Sequence, residues 1–148
     1  MKQAYRSLAL QTLVSAIIMY LVMFVMIDRL PSFYNNLNMV YMTLMMAAPM
    51  VVLMIVAMRD MFPSRRLNAL LVATAVLAFF GSFALIRTQT TIDDREFLRA
   101  MIPHHSGAIL MCEEASLTEA AVRRLCRDII ASQKSEIEQM KAMLASTG

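Results

Sequence analysis

The chain is 148 residues long, 59% apolar and 17% charged, with 16 methionines, no tryptophan and a formal net charge of +3. A water-soluble domain of that length carries a much smaller apolar share, so lipid is the solvent for most of this chain. From Arg87 onward eight basic residues face nine acidic ones, so the positive excess lies in the apolar part and its loops. Membrane topology accounts for that excess and no nucleic-acid partner is implied.

Three runs, 8–27, 37–58 and 67–86, contain no charged residue and are each long enough to cross a bilayer as a helix. In hydrocarbon only helices or closed barrels satisfy their own backbone, and uninterrupted runs of this length read as helices. The first run is too long for a secretory signal core, and no small-x-small cleavage pattern precedes Asp28-Arg29. Lys2 and Arg6 precede the first span, Arg59, Arg65 and Arg66 separate the second from the third, and Arg29 alone separates the first from the second. The positive-inside rule then places the N-terminus in the cytoplasm and everything after Arg87 outside it, with Phe33, Tyr34 and Tyr41 in the outer interfacial belt. The predicted organisation is a transmembrane region, 1–87, and a periplasmic or otherwise extracytoplasmic domain, 88–148, at the cell's inner membrane.

The second span carries Met39, Met42, Met46, Met50, Met54 and Met58 at steps of three or four residues. A thioether track for Cu(I) and a flexible packing seam both explain this ladder; packing is the simpler account of the two. Pro49 predicts a kink in that span, and Gly81 in the third allows close helix approach.

After Thr88-Gln89-Thr90-Thr91 the sequence predicts a helix over 92–115, begun at Thr91 with acidic residues in its first turn. Pro103 predicts a bend in it and freed carbonyls nearby. Ser116-Leu117-Thr118-Glu119 caps a second helix running to about 144, with Leu125, Ile129, Ile130, Ile137, Met140 and Leu144 on its apolar side. Gln133 intrudes on that side and calls for a partner, for which a histidine of the facing helix is suited. The fold class is therefore all-α: three transmembrane helices followed by a helical hairpin. One hairpin buries too little core alone, so a homodimer forming a four-helix bundle is expected, with the membrane anchor holding the copies at high effective concentration.

Both histidines of the protein lie in the first of these helices. At 100° per residue, Met101, His104, His105, Ala108, Met111 and Cys112 share about a third of the helix circumference. Thioether, imidazole and thiol donors suit a soft metal, Cu(I) first, whereas calcium or magnesium would want oxygen ligands. The same residues also fit a methionine-filled core with two bridging histidines. Cys112 and Cys126 fall in the outer domain, where disulfides persist, and their spacing leaves pairing open.

The run from Asp94 to Ile109, with Met101-Ile102-Pro103-His104-His105 at its centre, followed by Val122-Arg123-Arg124-Leu125, Ile129-Ile130, Gln133 and Glu136-Ile137-x-x-Met140, resembles domain-of-unknown-function family 305. The resemblance covers roughly the last third of the chain, and the methionine-rich second span is similar to that of membrane-anchored members. It implies a ferritin-like, helical, exported domain and metal binding by His104 and His105, with Met101, Met111 and Met140 as companions. Copper-binding periplasmic members make Cu(I) the implied ion. Family domains often hold two hairpins where this chain has one, which again points to a homodimer. Cys112 is not carried over from the family and rests on the helix face alone.

Three functions compete. The first is a membrane-anchored protein that buffers or delivers Cu(I), with a copper donor or acceptor protein as partner. The second is a ferritin-like oxidase-type metalloenzyme using Glu113, Glu114 or Glu136, which the absence of any Glu-x-x-His pair in the sequence argues against. The third is a structural or signalling membrane subunit without metal. Imidazoles protonate and thioethers do not, so a mixed site releases its metal between about pH 7 and 5.

Overall fold

The computed structural model describes residues 2–146; Met1, Thr147 and Gly148 lie outside them. The described residues form five α-helices and no strands: α1 (Lys2–Val22), α2 (Leu37–Ala57), α3 (Arg65–Thr88), α4 (Asp94–Glu114) and α5 (Ala120–Ser146). The chain divides into two compact units, one made of Met1–Val22 with Asn38–Thr91 and the other of Met23–Leu37 with Ile92–Gly148.

Three segments, Gln3–Met26, Leu37–Ala57 and Arg65–Thr88, are long and apolar enough to cross a membrane, and most of their residues make up the first unit. Leu10, Leu77 and Phe80 each expose more than 60% of their surface, a lining that hydrocarbon tolerates and water does not. α1 and α3 begin earlier than the uncharged runs because lysine and arginine are themselves good helix formers. α1 gives way at its end to a 3-10 turn, Met23–Met26, and α2 runs on past Pro49 as one helix. Leu8, Ile55 and Phe62 form a small core with Tyr5, Met54 and Leu71 against it. Around it, Tyr5 donates to Asn68 Oδ1 at 2.8 Å, accepts from the Ser64 N–H at 3.2 Å, and Asn68 Nδ2 donates to the Phe62 carbonyl at 2.7 Å. Helix α3 ends at Gln89, which adopts φ 53° and trades two hydrogen bonds with Asn38. The methionines of α2 are half-buried (Met39, Met45, Met50, Met54) or exposed (Met42, Met46).

The second unit is the α4–α5 hairpin with the 23–37 connector folded onto it. Helix α4 starts at Asp93, whose side chain accepts from the Glu96 N–H at 2.8 Å. The cap is thus Asp93 and not Thr91, since an aspartate directly before the first turn also meets the helix dipole. Ile102, Ile109, Ile137 and Met140 form the core between the helices, with Tyr34, Leu98, Met101 and Leu144 packed on it. Leu125, expected on this side, is 58% exposed, because it lies beyond the reach of α4's buried residues. The connector is fixed by Asp28: its N–H donates to Ser106 Oγ at 2.7 Å, while the Ser106 and Ser32 hydroxyls bond its carboxylate. A Cβ on Gly107 would sit 3.4 Å from the Met26 carbonyl, so glycine there permits the close approach. A disulfide joins Cys112 to Cys126.

Candidate metal centre

Proline at 103 takes away one amide donor of α4, and the helix nevertheless continues through it with Pro103 buried. Two residues on, the His105 ring folds back over the preceding turn, as long helical side chains do. Its Nδ1 lies 2.9 Å from the Met101 carbonyl oxygen and its Nε2 2.8 Å from Glu136 Oε2. The carbonyl that His105 uses is therefore Met101's, not the one at Arg99 that Pro103 releases.

Both partners of the ring are acceptors, so the two bonds together require hydrogen on both nitrogens. A neutral ring keeps Nδ1–H on the carbonyl and presents the Nε2 lone pair, the orientation that metal-binding histidines adopt. Glu136 is held in turn by the Ser132 hydroxyl at 2.5 Å. That hydrogen bond, and then the one from His105 with its charge, draw the Glu136 carboxyl below the usual carboxylate range, against a desolvation that pushes it up.

Met101 lies one helical turn before His105 on α4, and Met140 one turn after Glu136 on α5. The helices run antiparallel, so the two pairs face each other across the seam. Met140 is buried in the hairpin core, Met101 packs against that core, and the His105 side chain is 12% exposed. Among the described residues no three His, Cys, Asp or Glu side chains gather to hold an ion. An ion held here would depend on thioethers beside one imidazole, a donor set that fits a soft ion and leaves a hard one with Glu136 alone.

Of the six residues read from the sequence, the hairpin brings Met101, His105 and Met140 together. His104 is exposed, its ring 6.1 Å from that of His105 and edge-on to it. Met111 is 54% exposed and away from the core. Cys112 offers no thiol, because the bond to Cys126 consumes it; its place as a ligand is withdrawn. Gln133 does not pair with a histidine. Its Oε1 is buried without a hydrogen-bond partner among the described residues, and the acceptor that reaches His105 is Glu136. Ser132 went unread, and Glu136 was weighed as a carboxylate of a metalloenzyme site beside the histidines, not as the hydrogen-bond partner of His105. Nothing in the sequence pattern marks the Asp28–Ser106 clasp, which joins residues 78 apart.

A family model described as "Domain of unknown function (DUF305)" matches residues 55–144. The match begins inside α2 and includes all of α3, reaching further toward the N-terminus than the tail motif alone. An uncharacterized protein of Acanthamoeba polyphaga mimivirus is 33% identical over 111 residues, which is 74% of this chain and 71% of that protein. No solved structure matches.

Proposed function

The chain belongs to the DUF305 family, and from that premise we propose that it is a membrane-anchored protein binding Cu(I) outside the cytoplasm through His105, Met101 and Met140. The observation that carries this reading is the His105 ring, fixed by the Met101 carbonyl at 2.9 Å and Glu136 Oε2 at 2.8 Å, beside a hairpin core that holds Met140 and against which Met101 packs. An imidazole so held has its tautomer chosen in advance, and apolar surroundings leave soft sulfur as the available companion. Glu136 covers Nε2 until it turns aside, which makes the site a place of exchange and suits buffering or delivery to a donor or acceptor protein. Cu(I) supplies no bond-making chemistry in this reading; it is cargo.

The location follows from the spans and their charges. The basic α2–α3 link marks the cytoplasmic side, and the hairpin lies across the bilayer from it in an inner membrane. The Cys112–Cys126 disulfide suits the oxidising compartment that this topology gives it. Two hairpins from two copies would complete a ferritin-like four-helix bundle. An oxidase-type centre would need several inward carboxylates, whereas of the two carboxylates bonded across the seam only Glu136 reaches His105, Glu113 being paired with Lys134 at 2.8 Å.

The test is competition between the full-length detergent-solubilised protein and a chromophoric Cu(I) chelator, with ascorbate keeping copper reduced. His105→Leu should weaken binding by more than the roughly 10–100-fold that loss of an outer-shell partner costs, and Met140→Leu should weaken it in the same direction. Unchanged affinity in His105→Leu would overturn the reading.

A further inference from the structure

The Cys112–Cys126 bridge borders an open cleft of about 220 Å³ at the tip of the hairpin, whose other walls include Leu117, Ile130, Arg123 and Arg127. Both cysteines are half-buried, so their sulfurs are within reach of a small molecule in that cleft. The Cu(I) reading gives the cleft no part.

The two sulfurs stand in opposite surroundings. Cys112 lies in the last turn of α4, where unpaired carbonyls and the negative end of the helix dipole oppose a thiolate. Of the two glutamates that follow it, Glu113 is held by Lys134 at 2.8 Å, which leaves Glu114 as a further unfavourable neighbour. Cys126 lies in the second turn of α5, with Arg123 one turn before it and Arg127 directly after, and both arginines wall the cleft. Among the described residues no carboxylate stands within ion-pair distance of either guanidinium. Their charge is therefore open to an anion, and a nearby guanidinium favours a thiolate over a thiol.

Thiol–disulfide exchange makes use of such a difference. The attacking thiolate bonds to one sulfur, the other departs with the electron pair of the broken bond, and the sulfur better able to carry charge departs faster. We propose that the bridge is an exchange site for small thiols, opened by attack on Cys112 Sγ while Cys126 leaves as a thiolate beside Arg123 and Arg127. The first thiolate forms a mixed disulfide on Cys112 and breaks the Cys112–Cys126 bond. A second thiolate then takes the first away as its own disulfide, and two protons from water complete the pair of cysteine thiols. One disulfide is reduced and one is made. The ion plays no part in these steps, so the proposal stands or falls apart from the Cu(I) reading.

The experiment exposes the full-length protein in detergent to glutathione, with iodoacetamide present to trap whichever cysteine is released, and reads both positions by peptide mass spectrometry. Glutathione on Cys112 with alkyl on Cys126 should exceed the reverse arrangement by at least about threefold, the factor that a tenfold difference in acidity gives at a Brønsted coefficient of about 0.5. Changing both arginines, Arg123→Gln with Arg127→Gln, should lower that ratio, and Arg123→Lys with Arg127→Lys should keep it. A second measurement leaves one thiol at a time: Cys126 in Cys112→Ser should react with iodoacetamide faster than Cys112 in Cys126→Ser. An even or reversed ratio, a ratio unmoved by the glutamine pair, or slower alkylation of Cys126 would overturn the proposal. So would a bridge left intact by a glutathione concentration that opens it in the unfolded chain.

Discussion

Adjacent histidines on a helix point about 100° apart, so the pair His104-His105 announces two different surroundings without saying which is which. The structure assigns His105 to the seam with α5 and His104 to the open side, a choice made by where α5 lies. That Met101 and His105 share one side of α4, a turn apart, was legible from spacing. Glu136 and Ser132 were not, because a carboxylate four residues from a methionine is commonplace until a ring is found 2.8 Å away. Ser132 is the larger cause of the lowered Glu136 carboxyl pKa. Ser132→Ala should therefore move the Glu136 titration midpoint up, followed by carbon NMR of the labelled carboxyl; an unmoved midpoint would discount the hydroxyl. The sign for stability follows by linkage. A carboxyl whose folded pKa lies below its unfolded one adds stability above the ordinary carboxylate range, and that contribution is lost as pH falls through the lowered folded value. Glu136→Gln should remove this component of acid sensitivity from thermal unfolding measured at a series of pH values.

At the scale of the element, the hairpin is held at two separate places. Its buried residues run from Ile102 to Ile109 on α4 and from Ile137 to Met140 on α5, leaving the turn end without a core. There the Cys112–Cys126 bridge does the holding. Ile109 has no exposed surface, so Ile109→Ala should cost about 2–5 kcal/mol, seen as faster hydrogen exchange of α4 and α5 amides. Replacing both cysteines by serine should cost about 3 kcal/mol, the loop-closure value for a ring near 15 residues, with exchange quickening first at the turn end. Equal exchange in wild type and the serine pair would show that packing, not the bridge, secures that end. The two helices themselves were readable from periodicity, within a few residues at each end. The cap was misplaced by two because Thr91 and Asp93 both satisfy the local rule, and only Asp93 has the Glu96 N–H within 2.8 Å. The pairing of Cys112 with Cys126 depended on the angle and offset of the two helices, which spacing along one helix does not contain.

For the whole molecule, length and apolar character fixed the three long helices, since a run of about 20 uncharged residues has few other conformations open to it. The membership of the 23–37 connector was hidden. Its short 3-10 turns have no period to read, and its attachments are to residues far along the chain: Asp28 to the buried Ser106, Leu37 N–H to Glu96, and Tyr34 to the hairpin core. Ser106→Ala removes the acceptor of the Asp28 N–H and a donor to its carboxylate. Trypsin should then cut after the exposed Arg29 faster than in wild type, by mass spectrometry of the digest; an unchanged rate would mean the apolar packing of Phe24 on Phe33, with ring centroids 4.0 Å apart, is sufficient by itself.

The sulfur bond at the hairpin tip makes a loop of the backbone from 112 to 126, and Arg123 and Arg124 stand on that loop, exposed. Scission at either one opens a circle without separating its pieces. The severed protein would travel as a single species through a non-reducing gel and fall into two only when a thiol is added.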